Sequence, residues 1–181
     1  MIVTVDVRCA AAVDRDHPSA RYPCATTLTG AADARTARDG GEPHRAVVEI
    51  KRNLGGMIMR ALLGGSYLPG GHQARYEVCV DSRPFDSGVA ATCDSDLGIA
   101  LSPGLPADFA HAALSGVMSS APGLPLPAGA LRVDRAAYDL MGSSDSAFQQ
   151  AGALLRQVLA AMVDGVDVEA SVRQALESAD G

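Results

Sequence analysis

The chain has no tryptophan and only three phenylalanines and four tyrosines in 181 residues. Without large rings, the core must be built from Ala, Val, Leu, Ile and Met. At 48% hydrophobic residues there is enough of these for one domain, or one domain with an extra lobe. Basic residues are scarce too: Lys51 is the only lysine, and the formal net charge is −6. Free nucleic-acid binders draw most of their affinity from cations on phosphate. Autonomous DNA binding is therefore not expected, nor is strong RNA binding outside a local patch. The four cysteines, Cys9, Cys24, Cys79 and Cys93, show no CxxC spacing, which argues against the common zinc and thioredoxin-like patterns. No two histidines have ligand spacing either, so neither a metal nor a cofactor is expected. No run of 18 apolar residues occurs, so no membrane span is expected. The opening "MIVTVDVRCAAAVDRDHPS" lacks a basic stretch followed by a long apolar one, which predicts no secretory signal. A cytoplasmic protein with reduced thiols is the expectation. No GxxxxGK[ST] loop occurs anywhere, which excludes a P-loop GTPase.

The patterned segments run as follows. "IVTVDVRC" alternates with Val3, Val5 and Val7 on one face and predicts a strand over residues 2–9. Residues 14–44 are rich in Pro, Gly, Asp, Arg and Thr and predict a mobile loop, with at most a short strand near 24–28. In "RAVVEIKRNLGGMIMRALLGG", Ile50, Leu54, Met57, Ile58, Ala61 and Leu62 recur at helical spacing. A helix near 46–63 is predicted, or a strand up to Lys51 followed by a short helix, despite the cost of Gly55 and Gly56. "GGSYLPGG", residues 64–71, reads as a loop. "ARYEVCVDSRP" alternates as a strand closed by Pro84. "SGVAATCDSDLGIAL" predicts a returning strand broken near Asp96 and Gly98. Pro106 and Asp108 open a helix with a narrow stripe from Phe109 to Val117. "APGLPLPAG" is a connector and "ALRVDRAAYD" a strand. A helix then steps through Phe148, Ala151, Leu155, Val158 and Met162, with Ser143 or Ser144 as N-cap and Gly165 as its end. A last helix spans residues 168–178. From Ala74 onward the order is strand, strand, helix, strand, helix, helix, an α+β layer with helices on one face of a small sheet.

Two of these stretches carry a resemblance. "LPADFAHAALSG" resembles the Ile-Pro-x-Glu-Tyr-x-x-Ala-Val-x-x-Gly signature of domain IV of elongation factor G. "YDLMGSSDSAF" resembles that domain's Tyr-His-Asp-Val-Asp-Ser-Ser-Glu-x-Ala-Phe, with Tyr138, Ser143, Ser144, Asp145, Ala147 and Phe148 in register. "GGHQARYEVCV" sits where the family has a Gly-Gly loop feeding a strand. The likeness covers roughly residues 74–162. It implies a fold like the second domain of ribosomal protein S5, with a left-handed crossover. Residues 1–73 then form an N-terminal extension completing the same domain, 74–163 the core, and 164–181 a C-terminal helix. In the family this domain is the tip of a translocase that reaches the decoding region. By resemblance the tip residues here are Tyr138, Asp139, Gly142, Ser143, Ser144, Gly70, Gly71, His72, Arg75, Leu105 and Pro106. The chain departs from the family where its tip chemistry lies. The tip histidine falls on Asp139, a second tip acid on Gly142, and the Gly-Gly loop lacks its arginine. A carboxylate at Asp139 would repel phosphate.

The residues alone leave several readings open. Asp139 is a solvated turn acid, as turns favour, or a ligand-binding carboxylate. Tyr138 is a half-buried strand end or a stacking ring. His111 and His72 read as surface side chains, and His17 and His44 lie in loops. Residues 64–71 lack the lysine and helix start of a phosphate cradle, and "DSD" at 94–96 lacks the rest of a calcium loop. Cys79 and Cys93 read as small buried hydrophobes on neighbouring strands, and nothing in the spacing supports a Cys–His nucleophile. With no catalytic constellation, two functions remain. One is a stand-alone, non-GTPase relative of the translocase tip that engages the ribosome or a protein partner in translation without chemistry. The other is a repurposed domain that binds or transforms a small-molecule ligand. The stripe on the final helix adds a homo-oligomer as a third expectation.

Overall fold

The computed structural model describes residues 1–6, 8–38, 40–83, 92–119 and 126–178. It is a mixed α+β protein with a mostly antiparallel sheet and three helices. The strands are β1 (Ile2–Asp6), β2 (Cys9–Asp14), β3 (Thr26–Arg38), β4 (His44–Leu54), β5 (Met57–Pro69), β6 (Gly71–Val80), β7 (Ser102–Pro103) and β8 (Gly129–Tyr138). The helices are α1 (Ala107–Met118), α2 (Asp145–Asp164) and α3 (Val168–Ser178). The sheet order is β1-β2-β4-β5-β8-β6-β3, with the short β7 also on β8. All pairings are antiparallel except β6 with β8, which are joined through α1.

The N-terminal expectations need correction. The region near 46–63 is not a helix but a long hairpin. Gly55 (φ 58°) and Gly56 (φ 92°) form its two-residue turn, and Leu54 pairs with Met57. Positive φ at both central positions is what the primed hairpin turns demand. The helical spacing was a coincidence of a strand buried on both faces, where apolar residues need not alternate. The residue 64–71 loop is likewise almost all strand: β5 runs to Pro69 and β6 starts at Gly71, with Gly70 between them at the bend. Residues 14–44 do not form one mobile loop, because β3 occupies thirteen of them as an edge strand on β6. A single strand over 2–9 is instead a hairpin of β1 and β2; Val7 lies outside the described residues. The sheet is therefore large, not small. The expected returning strand begins in 84–91, which with Pro84 lies outside the described residues. Its described part makes only a Cys93–Leu101 bridge. Residues 121–125 of the 121–129 connector also lie outside them.

The C-terminal expectations are met. Ser144 Oγ accepts the Ala147 N–H at 3.2 Å as N-cap of α2, and Gly165 closes that helix in the left-handed conformation (φ 66°, ψ 25°). One face of the sheet carries Ile50, Leu63, Val78 and Val133 and packs on Phe109, Phe148, Leu155 and Val158 of α1 and α2. Phe109 and Phe148 stack with centroids 5.0 Å apart. The two helices approach closely because Gly116 and Gly152 lie at the crossing. A Cβ on Gly116 would sit 2.1 Å from the Gln149 carbonyl oxygen. The opposite face is closed by loops over a second, smaller cluster of Ala20, Val47, Leu62, Cys93, Leu101 and Ala137.

Candidate functional site

The corner after β8 is bound to its own sheet. Asp139 Oδ1 accepts the N–H groups of Met141 (2.9 Å) and Gly142 (3.3 Å), and Asp139 N–H donates to Ser143 Oγ at 2.9 Å. Ser143 Oγ donates to the Arg60 carbonyl at 2.6 Å, and Arg60 N–H donates to the Gly142 carbonyl at 2.9 Å. Gly142 must be glycine here, since a Cβ would meet the Ile58 carbonyl oxygen at 2.6 Å. The corner thus extends the β5 edge of β8 by one more strap.

The carboxylate of Asp139 faces Arg60 (Nη1 to Oδ2 3.4 Å) and is neither free nor solvated alone. Arg60 itself is 3% exposed and pairs with Glu49, also 3% exposed, at 2.9 Å. Ser95 Oγ donates to Glu49 Oε1 at 2.7 Å, and Asp96 N–H donates to Oε2 at 3.1 Å. Glu49 and Asp139 each accept from the Arg60 guanidinium and from hydroxyl or backbone N–H groups. The cluster holds the 92–97 loop on the sheet.

The eleven tip residues do not gather at one place. Tyr138 is buried, and Ser144 is occupied as an N-cap. Leu105 and Pro106 are buried on the Tyr138 side, where β7 pairs Ser102 with Tyr138. Gly70, Gly71, His72 and Arg75 lie at the other end of β8, because β6 runs parallel to it and Ala74 pairs with Gly129. Ten strand residues at about 3.3 Å each separate the two groups. His72 and Arg75 are exposed and line a shallow groove of about 270 Å³ with Gly70, Gly71 and Gly129.

What the corner does present is apolar. Met141 is 94% exposed and Leu140 52%, and on the adjoining β4–β5 turn Met57 is 72% exposed, with Leu54 and Ile58 also out. Ile99 follows the Leu97 carbonyl that Lys51 Nζ holds at 2.9 Å, and is exposed as well. Reading the sequence as motifs missed these residues. The available signal was a pair of tight turns, "NLGGMI" and "DLMG", that carry apolar side chains where turns ordinarily carry polar ones.

Two further arrangements stand apart. Between β4, α2 and α3 a cavity of about 240 Å³ is lined by Ile50, Leu154 and Leu176 with Arg52, Arg156 and Gln157. Arg52 donates to Gln150 Oε1 at 2.9 Å, Gln157 to the Ser171 carbonyl at 2.9 Å, and burial pulls the Arg156 guanidinium below its ordinary pKa. On the loop face, His17 Nδ1 lies 3.1 Å from Ser19 Oγ and 3.7 Å from Cys93 Sγ. Cys93 is wholly buried, and burial pushes its thiol up. It does not face Cys79, which lies against Arg132 and Cys24. Among the described residues no group of three or more His, Cys, Asp or Glu side chains forms a metal site, and no helix is long and apolar enough to cross a membrane.

No protein-family model matches the chain, and no curated protein or solved structure does either.

Proposed function

We propose that the chain is a binding module that acts by occupancy, a stand-alone, non-GTPase relative of the elongation factor G tip domain that docks on a protein of the translation machinery. The observation that carries this reading is the apolar end formed by Leu54, Met57, Ile58, Leu140 and Met141. Contiguous exposed apolar surface is the mark of a protein contact. It is the wrong surface for phosphate, and the net charge of −6 points the same way. The partner class rests on the two sequence motifs. The fold supports that part through the adjacent, parallel β6 and β8 joined by α1 and followed by α2, as a crossover of the ribosomal protein S5 type requires. The rewritten tip agrees with a change of contact from RNA to protein, since Asp139 now serves Arg60 of its own sheet.

Co-sedimentation with ribosomes of the host, across a salt series and with Met141→Asp beside wild type, tests the reading. The expected result is pelleting that persists as salt rises, competes with elongation factor G, and is lost in Met141→Asp. Pelleting that falls steeply with salt and ignores Met141→Asp would mean an RNA contact. No pelleting, with a concentration-dependent sedimentation coefficient abolished by Met141→Asp, would mean that the same end makes a homodimer. The cavity between β4, α2 and α3 favours a second reading, in which a small molecule with an apolar body and an anionic or amide end binds there. Ligand-induced thermal stabilisation from a metabolite panel, lost in Leu154→Trp, would support it.

A further inference from the structure

A groove of about 330 Å³ beside the start of β3 is lined by Cys24 and Cys79 together with Arg21, Arg132, Arg135 and a single acid, Asp134. Cys79 lies in β6 opposite Thr27. Cys24 precedes β3 and folds back over it: its Sγ donates to the Thr26 carbonyl at 3.2 Å and lies 3.6 Å from Thr27 Oγ1. Tyr22 Oη donates to the Cys79 carbonyl at 2.6 Å and clamps this segment across from β6. The two thiols thereby line one groove, Cys24 exposed and Cys79 buried. Arg132 Nη2 lies 3.6 Å from Cys79 Sγ.

We propose that Cys24 and Cys79 form a reactive dithiol oxidised by a small anionic disulfide, of the glutathione disulfide class, that Arg21 and Arg132 capture. The Cys24 thiolate attacks one sulfur of the incoming disulfide, whose S–S bond breaks and whose other sulfur leaves as thiolate. Cys79 then gives its proton to solvent and attacks the Cys24 sulfur, expelling the second small thiolate. Two protein thiols become one disulfide, and the small disulfide gains two electrons and two protons as two thiols. Burial sets the order of attack. It pushes the Cys79 thiol up to about 11, so Cys79 cannot lead and the exposed Cys24 does. Arg21 faces Asp16, Arg132 faces Glu77, and Arg135 faces Asp16 and Asp134; the Arg21 and Arg132 pairs are long and exposed, weak enough to open for a carboxylate-bearing reagent. Closing the bond needs Cα atoms within about 7 Å. To close it, the segment must loosen the bonds that Tyr22 Oη and Ala25 N–H make to the Cys79 and Val80 carbonyls.

The test is peptide mapping of the reduced full-length chain after exposure to glutathione disulfide. The expected product is a Cys24–Cys79 crosslink with Cys9 and Cys93 untouched, since burial pushes both of those thiols up. Cys79→Ser should stop at a mixed disulfide on Cys24, and Cys24→Ser should not react. Arg21→Gln with Arg132→Gln should slow the reaction with glutathione disulfide by about tenfold, and leave the rate with neutral 2-hydroxyethyl disulfide unchanged. A wild-type chain that accumulates the Cys24 mixed disulfide without the crosslink overturns the dithiol. An arginine variant that reacts like wild type with both disulfides, or slowly with both, overturns capture by the groove.

Discussion

On the helix side of the sheet, Ile50 and Leu63 meet Phe148 and Leu155. On the other side, the same strands β4 and β5 offer Glu49 and Arg60 to a loop. The first contact is non-directional and scales with the apolar area removed from water. The second is directional and depends on each charge finding its partner, because an unpaired buried charge costs more than a paired one gains. Along one strand, alternate residues therefore follow different rules. The helix face tolerates no loss of volume. The loop face tolerates replacement of a whole polar set but not of half of one.

That contrast can be broken experimentally. Phe148→Ala should cost about 3–5 kcal/mol of stability, seen as a lower denaturant midpoint at unchanged slope. Arg60→Met should cost a similar amount, about 3–5 kcal/mol, because Glu49 is left buried with its charge. Adding Glu49→Leu to Arg60→Met should then recover most of the loss, whereas no second substitution on the helix face would rescue Phe148→Ala. Gly116→Ala should cost about 1–3 kcal/mol, because the new Cβ pushes α1 away from the Gln149 carbonyl; thermal unfolding reads it. Ser144→Ala should cost about 1 kcal/mol through the lost cap. The smallest effect is expected at Asp16. Burial pushes its carboxyl up, but the His17 N–H and Arg135, Arg45 and Arg21 outweigh this and hold it below the ordinary range. A depressed carboxylate contributes stability above its unfolded pKa and loses it as pH falls through the folded value. Stability measured between neutral and acidic pH should fall less for Asp16→Asn than for wild type.

The same contrast explains what could be read from the sequence. The helix face was legible where a helix lies on it. Phe148 to Met162 step at helical spacing, Ser144 and Gly165 punctuate, and α3 was bounded by its own stripe. β8 was legible because Leu131 and Val133 alternate with Arg132 and Asp134. β5 was not, since Ala61, Leu62 and Leu63 are all buried, on two different faces, and such a run has no period to detect. β3 failed for the opposite reason: "TTLTGAADARTAR" is an edge strand with little buried surface, so its composition matches a loop. The Glu49–Arg60–Asp139 cluster joins three distant segments, and no local pattern announces it. The stretch on which the resemblance rests did include the corner, but the apolar turn of residues 54–58 beside it comes from a hairpin outside that stretch.

The placement of β8 has a consequence for how the molecule is made. β5 and β6 follow one another in the chain, joined only through Gly70 and Gly71, yet they are not neighbours in the sheet, because β8 lies between them. During synthesis, everything up to Val80 can emerge while the sheet remains two pieces, β1-β2-β4-β5 and β6-β3, with raw edges facing each other. Only when residues 129–138 of the 181 leave the ribosome can one strand zip both pieces together. Such long-range closure is slow, and until it happens the exposed edges of β5 and β6 are templates for pairing with other chains. The nascent chain should therefore depend on a protector that covers two strand edges until the eighth strand arrives.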